Sequence, residues 1–150
     1  MANVTIADLL HDGRVEQVTP DIAAAWERAA EARIHLASSA TLAGSDPALA
    51  YIALYDAARK AITAHMQANG YRATNRLGAH QAVGLYAEAT LGAGAALPHV
   101  RAFDRMRRVR NRSEYDQQSI TERLLSTDLS HAEGVVAAVE AALPPRPRSP

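Results

Sequence analysis

An all-α fold is predicted by three features of this 150-residue chain: 33 alanines, apolar residues recurring at helical spacing, and Thr, Asp, Pro and Gly signals placed where helices start and stop. Alanine is the best helix former and is depleted from strands. With only one Phe and one Trp, the core is expected to be built from small aliphatic side chains. The length suits one domain that buries a core without disulfide or metal staples. No segment shows a two-residue apolar period, and no internal repeat is visible.

The elements follow in order. Thr5 to His11 reads as a short helix with Thr5 as N-cap, ended by Gly13, and Arg14 to Val18 as a connector. Thr19-Pro20-Asp21 predicts the start of a long helix, with Thr19 as cap and Pro20 at the first position, running to about Ala43. Ser45-Asp46-Pro47 repeats the signal and opens a helix that ends at Gly70. Tyr51, Tyr55, Ala58, Ile62 and Met66 share one face of it, and Leu49, Ile52, Ala53 and Ala57 an adjoining one, so this helix is expected to be central and buried. Tyr71 to Leu77 reads as a loop, Ala79 to Leu91 as a short helix broken by Gly92-Ala93-Gly94, and Pro98 falls in the first turn of the next helix. The last helix is predicted from Thr121 to Leu143, with Leu125, Leu129, Ala132, Val136, Val139 and Leu143 forming a packed seam. Gly134 interrupts it, and Ser126-Thr127 is a candidate break. The expected organisation is a short helix and connector over 1–18, a bundle of four to five main helices over 19–143, and a disordered proline-rich tail over 144–150.

Several function classes drop out. Without cysteine there is no disulfide framework, thiol nucleophile or cysteine-based zinc site. The first residues, MANVTIADLLHDGRVEQV, carry acids and no apolar core, unlike a signal peptide. No apolar run approaches the roughly 18 residues of a membrane span. A formal net charge of zero argues against a general DNA-coating role. A soluble cytoplasmic protein, with no cofactor and no metal, is expected.

The most informative stretch is Arg101 to Tyr115, where six arginines face one acid, Asp104, within the first twelve residues. Arg101, Arg105, Arg108 and Arg112 recur as one stripe, expected to be solvated. Phe103, Met106 and Val109 lie opposite, and Arg110 falls among them with Arg107 and Glu114 close by. A guanidinium on a core-facing stripe must be paired or must line a polar cavity. Asp56 and Lys60 on the central helix stand four apart, spaced for an ion pair; Asp56 is a candidate to neutralise Arg110 or Lys60, with Asn111 and Tyr115 adding donors. A buried network that fixes helix register is the alternative to a functional site at these residues.

At these residues the sequence resembles a HEPN domain, the small helical bundle of many prokaryotic toxin and defence ribonucleases. The resemblance covers roughly residues 46–143 and is nearest to a subgroup from high-GC bacteria with a YDAARKA-like central helix, here Tyr55 to Ala61, and an RNxxEY ending, here Arg110 to Tyr115. Arg110 and Asn111 match the start of the family signature, and Asp56 and Lys60 match its acidic–basic pair on an earlier helix. The resemblance implies a homodimer that brings both motifs into one cleft, metal-free RNA cleavage in active members, and a partner such as RNA or a nucleotidyltransferase-type antitoxin protein. The family's histidine position, however, holds Tyr115, preceded by Glu114. Tyrosine, with an ordinary pKa near 10, is a poor base at neutral pH, and losing a general acid or base costs about 10²–10⁴ in rate.

Two readings follow. The first is a non-catalytic or weakly catalytic module that binds RNA or a partner protein in a defence or toxin–antitoxin setting. The second is a metal-independent ribonuclease with Arg110 and Asn111 at the phosphate and Tyr115 or Glu114 in place of the histidine. A DNA-binding regulator ranks last, because no recognition-helix signature accompanies the arginines. Among the other histidines, His65 is expected to come nearest the cleft, and His80, His99 and His131 to be surface or internally satisfied. Trp26 reads as an anchor for the first long helix.

Overall fold

The computed structural model describes residues 3–115 and 119–149, with side chains in the helix that ends at Tyr115 described as far as Arg112. Six helices are present among them: α1 (Ile6–His11), α2 (Ile22–Leu42), α3 (Pro47–Asn69), α4 (Ala79–Leu91), α5 (Leu97–Tyr115) and α6 (Glu122–Ala142), with a 3-10 turn at Gly94–Ala96 leading into α5. The mainly helical expectation holds, with one addition. Val15–Gln17 (β1) and Tyr71–Ala73 (β2), read from sequence as connector and loop, pair as an antiparallel ribbon with Val15 opposite Ala73 and Gln17 opposite Tyr71. Strands of three residues are too short to display a period, so no local pattern announces them.

Cap chemistry sets most boundaries. Thr5 and Asp8 form a reciprocal capping box at α1. Asp46 caps α3 through the Leu49 amide, Pro47 opens it, and Gly70 closes it in the left-handed region at φ 80°. A side chain at Gly70 would meet the Val18 carbonyl at 2.8 Å, so this glycine lets α3 turn directly into the ribbon. Thr121 caps α6 through the Leu124 amide. α2 starts later than predicted: Asp21, not Thr19, accepts from the Ala24 amide at 3.0 Å, while the Asp21 amide donates to the Gln67 carbonyl of α3. That second bond fixes the approach of the chain and moves the cap. α6 runs unbroken through Ser126-Thr127.

α3 is the central helix, packed against α2 along its length and against α6, α5 and α4. Tyr51, Leu54, Tyr55, Ala57, Ala58, Ala61 and Ile62 are fully buried on it, whereas Leu49, placed by pattern on an apolar face, is exposed. Leu9 and Val15 from the N-terminal segment join the same core. The seam of Leu125, Ala132, Val136, Val139 and Leu143 is buried, and Gly134 of α6 is half-buried against His99: a Cβ there would lie 2.3 Å from the His99 ring. The glycine within the helix is thus a seat for His99. α2 and α6 are tied by Arg33 and Glu140, and Trp26 donates from Nε1 to the Pro144 carbonyl at 2.8 Å. Arg146 covers the Trp26 ring, so the proline-rich tail, without regular structure, is held at its start. Among the described residues no helix is long and apolar enough to cross a membrane.

Candidate functional site

α5 and the start of α4 build the site. On α5, Arg107, Arg110 and Asn111 succeed one another at spacings of three and one, which keeps them on neighbouring faces of the helix. With residues 78–81 they line an open concavity of about 300 Å3. α4 begins there at Gly78, whose left-handed φ of 86° bends the loop into the helix and which offers no side-chain cap. The first amides of α4 therefore carry the partial positive charge of a helix N-terminus without a side-chain acceptor. Arg107 donates to Asp104 at 3.0 Å, and the Arg110 guanidinium lies over the Tyr55 ring at 5.8 Å. Tyr55 in turn stacks on Phe103 at 5.2 Å. The core-facing arginine is thus accommodated at the margin of the aromatic core, beside a polar opening.

The residue that sequence reasoning passed over is His80. Its Nδ1 lies 2.8 Å from the Tyr55 hydroxyl, and its ring stacks nearly parallel to the tyrosine at 14°. Burial, followed by Arg59, Arg110 and Arg107, lowers its pKa, with Asp56 opposing. Burial pushes the Tyr55 hydroxyl up to about 12, so it keeps its proton at neutral pH. A neutral imidazole held by a protonated tyrosine, among three arginines, has one ring nitrogen left over for a ligand. The signal available in sequence is a histidine one residue inside a helix that follows a glycine, which the pattern alone reads as surface or internally satisfied.

The other candidates are distributed differently from expectation. Lys60 does not pair with Asp56; its Nζ meets Glu31 on α2 at 2.8 Å. Asp56 pairs instead with Arg59, one turn along, at 3.5 Å. His65 does not reach the opening: it is buried with Nδ1 2.9 Å from the Tyr86 hydroxyl, and burial lowers its pKa. Glu114 and Tyr115 have side chains outside the described residues. The stripe expected to be solvated is split, since Arg105 donates to Asp128 on α6 at 3.0 Å from one nitrogen and closely from the other. Asp128 is completely buried and also accepts from the Tyr51 hydroxyl at 2.6 Å. This Tyr51–Asp128–Arg105 set joins α3, α6 and α5 and is structural. Among the described residues no group of His, Asp and Glu is arranged to hold a metal ion.

Comparison with known proteins finds no match to a family model, to a curated protein or to a solved structure.

Proposed function

We propose that the chain is a HEPN-like RNA-binding protein of a bacterial defence or toxin–antitoxin type system, with nuclease activity weak or absent and a homodimer that shares the polar cleft around Arg110. The observation that carries this reading is the meeting of Arg107, Arg110 and Asn111 on α5 with His80 and the uncapped start of α4 around one open concavity. Guanidinium groups and helix-terminal amides are the groups that hold phosphate oxygens, and an asparagine adds a donor and an acceptor for a sugar or base edge. The same surface suits single-stranded RNA, whose bends bring a phosphate into a concavity that a duplex would bridge. A cognate partner protein bearing an acidic segment would be the competitor for the cleft.

A second reading, the metal-independent ribonuclease, is favoured by His80 specifically. An imidazole of lowered pKa is neutral at pH 7; with Nδ1–H donating to the Tyr55 oxygen, Nε2 is free to take the 2′-hydroxyl proton as that oxygen attacks phosphorus and the 5′-oxygen leaves, protonated by water. Arg110 and Arg107 would offset the charge that develops on the phosphate. In this reading His80, rather than Tyr115 or Glu114, does the work of the missing motif histidine.

Binding and cleavage of labelled single-stranded RNA in EDTA separate the two. Binding without turnover, lost on Arg110→Ala, supports the binding protein; turnover lost in His80→Asn with binding retained supports the nuclease. Absence of RNA binding in the wild type rejects both.

A further inference from the structure

A larger cavity, of about 470 Å3, opens on the other side of His80, between α2, α3, α4 and the ribbon. Its size lies in the range of about 300–1,000 Å3 typical of small-ligand sites. Three arginines from three different elements line it: Arg28 of α2, Arg59 of α3 and Arg72 of β2. The lining holds one carboxylate, Asp21, and that side chain is committed to capping α2. Arg72 is paired with Glu16 and Arg59 with Asp56, whereas Arg28 makes no hydrogen bond or ion pair among the described residues. Glu31, one turn along α2 from Arg28, is held by Lys60. The floor is apolar, with Met66 and Val83. Gln67 also lines the cavity, and its Oε1, closed off from solvent, has no donor among the described residues. An amide left in that state gains a partner by turning toward a group that enters.

Ala79 and His80 line both cavities, so the two openings adjoin at the start of α4. We propose that this cavity holds the terminal phosphate of the strand whose body lies along Arg107 and Arg110, so that the protein recognises an RNA end carrying a phosphomonoester. The proposal rests on the RNA-binding reading above. An internal phosphodiester carries one charge and two free oxygens. A terminal phosphate carries nearly two charges and three acceptor oxygens at pH 7, and so can engage more than one guanidinium at once. Three arginines on separate elements around one cavity, with a single carboxylate already in use, match the second better than the first. The apolar floor gives the terminal sugar and base a dry surface.

The test compares one short single-stranded RNA in three forms, with 5′-phosphate, with 3′-phosphate and with hydroxyls at both ends, binding to wild type, Arg28→Ala and Arg72→Ala in EDTA. Both arginines are on the surface, and circular dichroism and melting confirm that the variants fold. The expected result is that one phosphorylated form binds about tenfold or more tighter than the unphosphorylated form, and that Arg28→Ala removes this gain while leaving the weaker binding of the hydroxyl form in place. Whichever end gives the gain identifies the end recognised. Equal affinity of all three forms, or a gain that survives in both variants, overturns the proposal and leaves the RNA-binding reading standing. No binding of any form overturns both.

Discussion

The hydroxyl of Tyr55 and Nδ1 of His80 lie 2.8 Å apart, joining the buried centre of α3 to the exposed start of α4. Tyr55 is fully buried and His80 is not, so the contact fixes the imidazole from the inside and turns its other edge to the opening. The pH dependence of ligand binding follows from it. Burial and three arginines lower the pKa of His80. If the concavity takes an RNA phosphate as proposed, that phosphate offsets the arginines and raises the pKa, so binding takes up a proton and affinity is expected to increase as pH falls from 8 toward 6. His80→Asn flattens this dependence. Fluorescence titration of one oligonucleotide across that range checks it, and an unchanged slope in the variant separates His80 from the site.

Arg105 differs from the arginines that share its stripe. Its replacement by alanine leaves Asp128 buried with only the Tyr51 hydroxyl, and loss of one partner of a buried pair costs about 3–5 kcal/mol. Arg105 is partly exposed, which places the Asp128→Ala cost lower, at about 2–4 kcal/mol, because the arginine left behind can be hydrated. Arg101→Ala and Arg108→Ala are expected to stay within about 0.5 kcal/mol of wild type. Urea melts of the four variants give the order directly.

Gly134 is another position where local preference and packing oppose each other. Alanine is better in a helix by about 1 kcal/mol, yet its Cβ would sit 2.3 Å from the His99 ring. Gly134→Ala is therefore expected to destabilise by about 1–3 kcal/mol, and His99→Ala in the same chain to recover most of that. A double-mutant cycle by thermal melting reads the coupling; simple additivity would show that the ring does not rest on this glycine.

Acid stability follows from His65, which burial keeps below the ordinary histidine pKa while Tyr86 holds its ring. The unfolded chain binds a proton near pH 6.5 that the folded chain resists, so stability is full above that pH and falls as pH drops toward the folded value. His80 and His131 act in the same direction. The melting temperature should decline between pH 7 and 5.5, with a smaller decline in His65→Gln. A melting temperature that rises over that interval would contradict the sign.

Much of the architecture was readable because helix ends are written locally. Thr5, Asp46-Pro47, Gly70 and Thr121 each carry the cap chemistry that the structure uses. The cap of α2 was misplaced because Asp21, two residues after Thr19, is selected by a bond to Gln67 on another helix, which no local pattern contains. The ribbon was missed for a similar reason: its strands pair across more than fifty residues and are too short for a period. In the site, Arg107, Arg110 and Asn111 were legible from their phase on one helix. Lys60 rests on its spacing to Asp56 and on the family's acidic–basic pair, and neither reveals that Glu31 of α2 reaches it first. His80 needed the packing of α4 on α3, since nothing in its neighbouring residues marks a partner at Tyr55.

The proposed RNA site is the concavity between α5 and the start of α4, with Arg107 and Arg110 as its cations. The direct measurement is the affinity of single-stranded RNA for wild type and Arg110→Ala at two salt concentrations in EDTA, on samples whose melting temperatures agree. Salt-sensitive binding that weakens about tenfold or more in the variant is the predicted result. Absent binding, or binding that Arg110→Ala leaves intact, would contradict it.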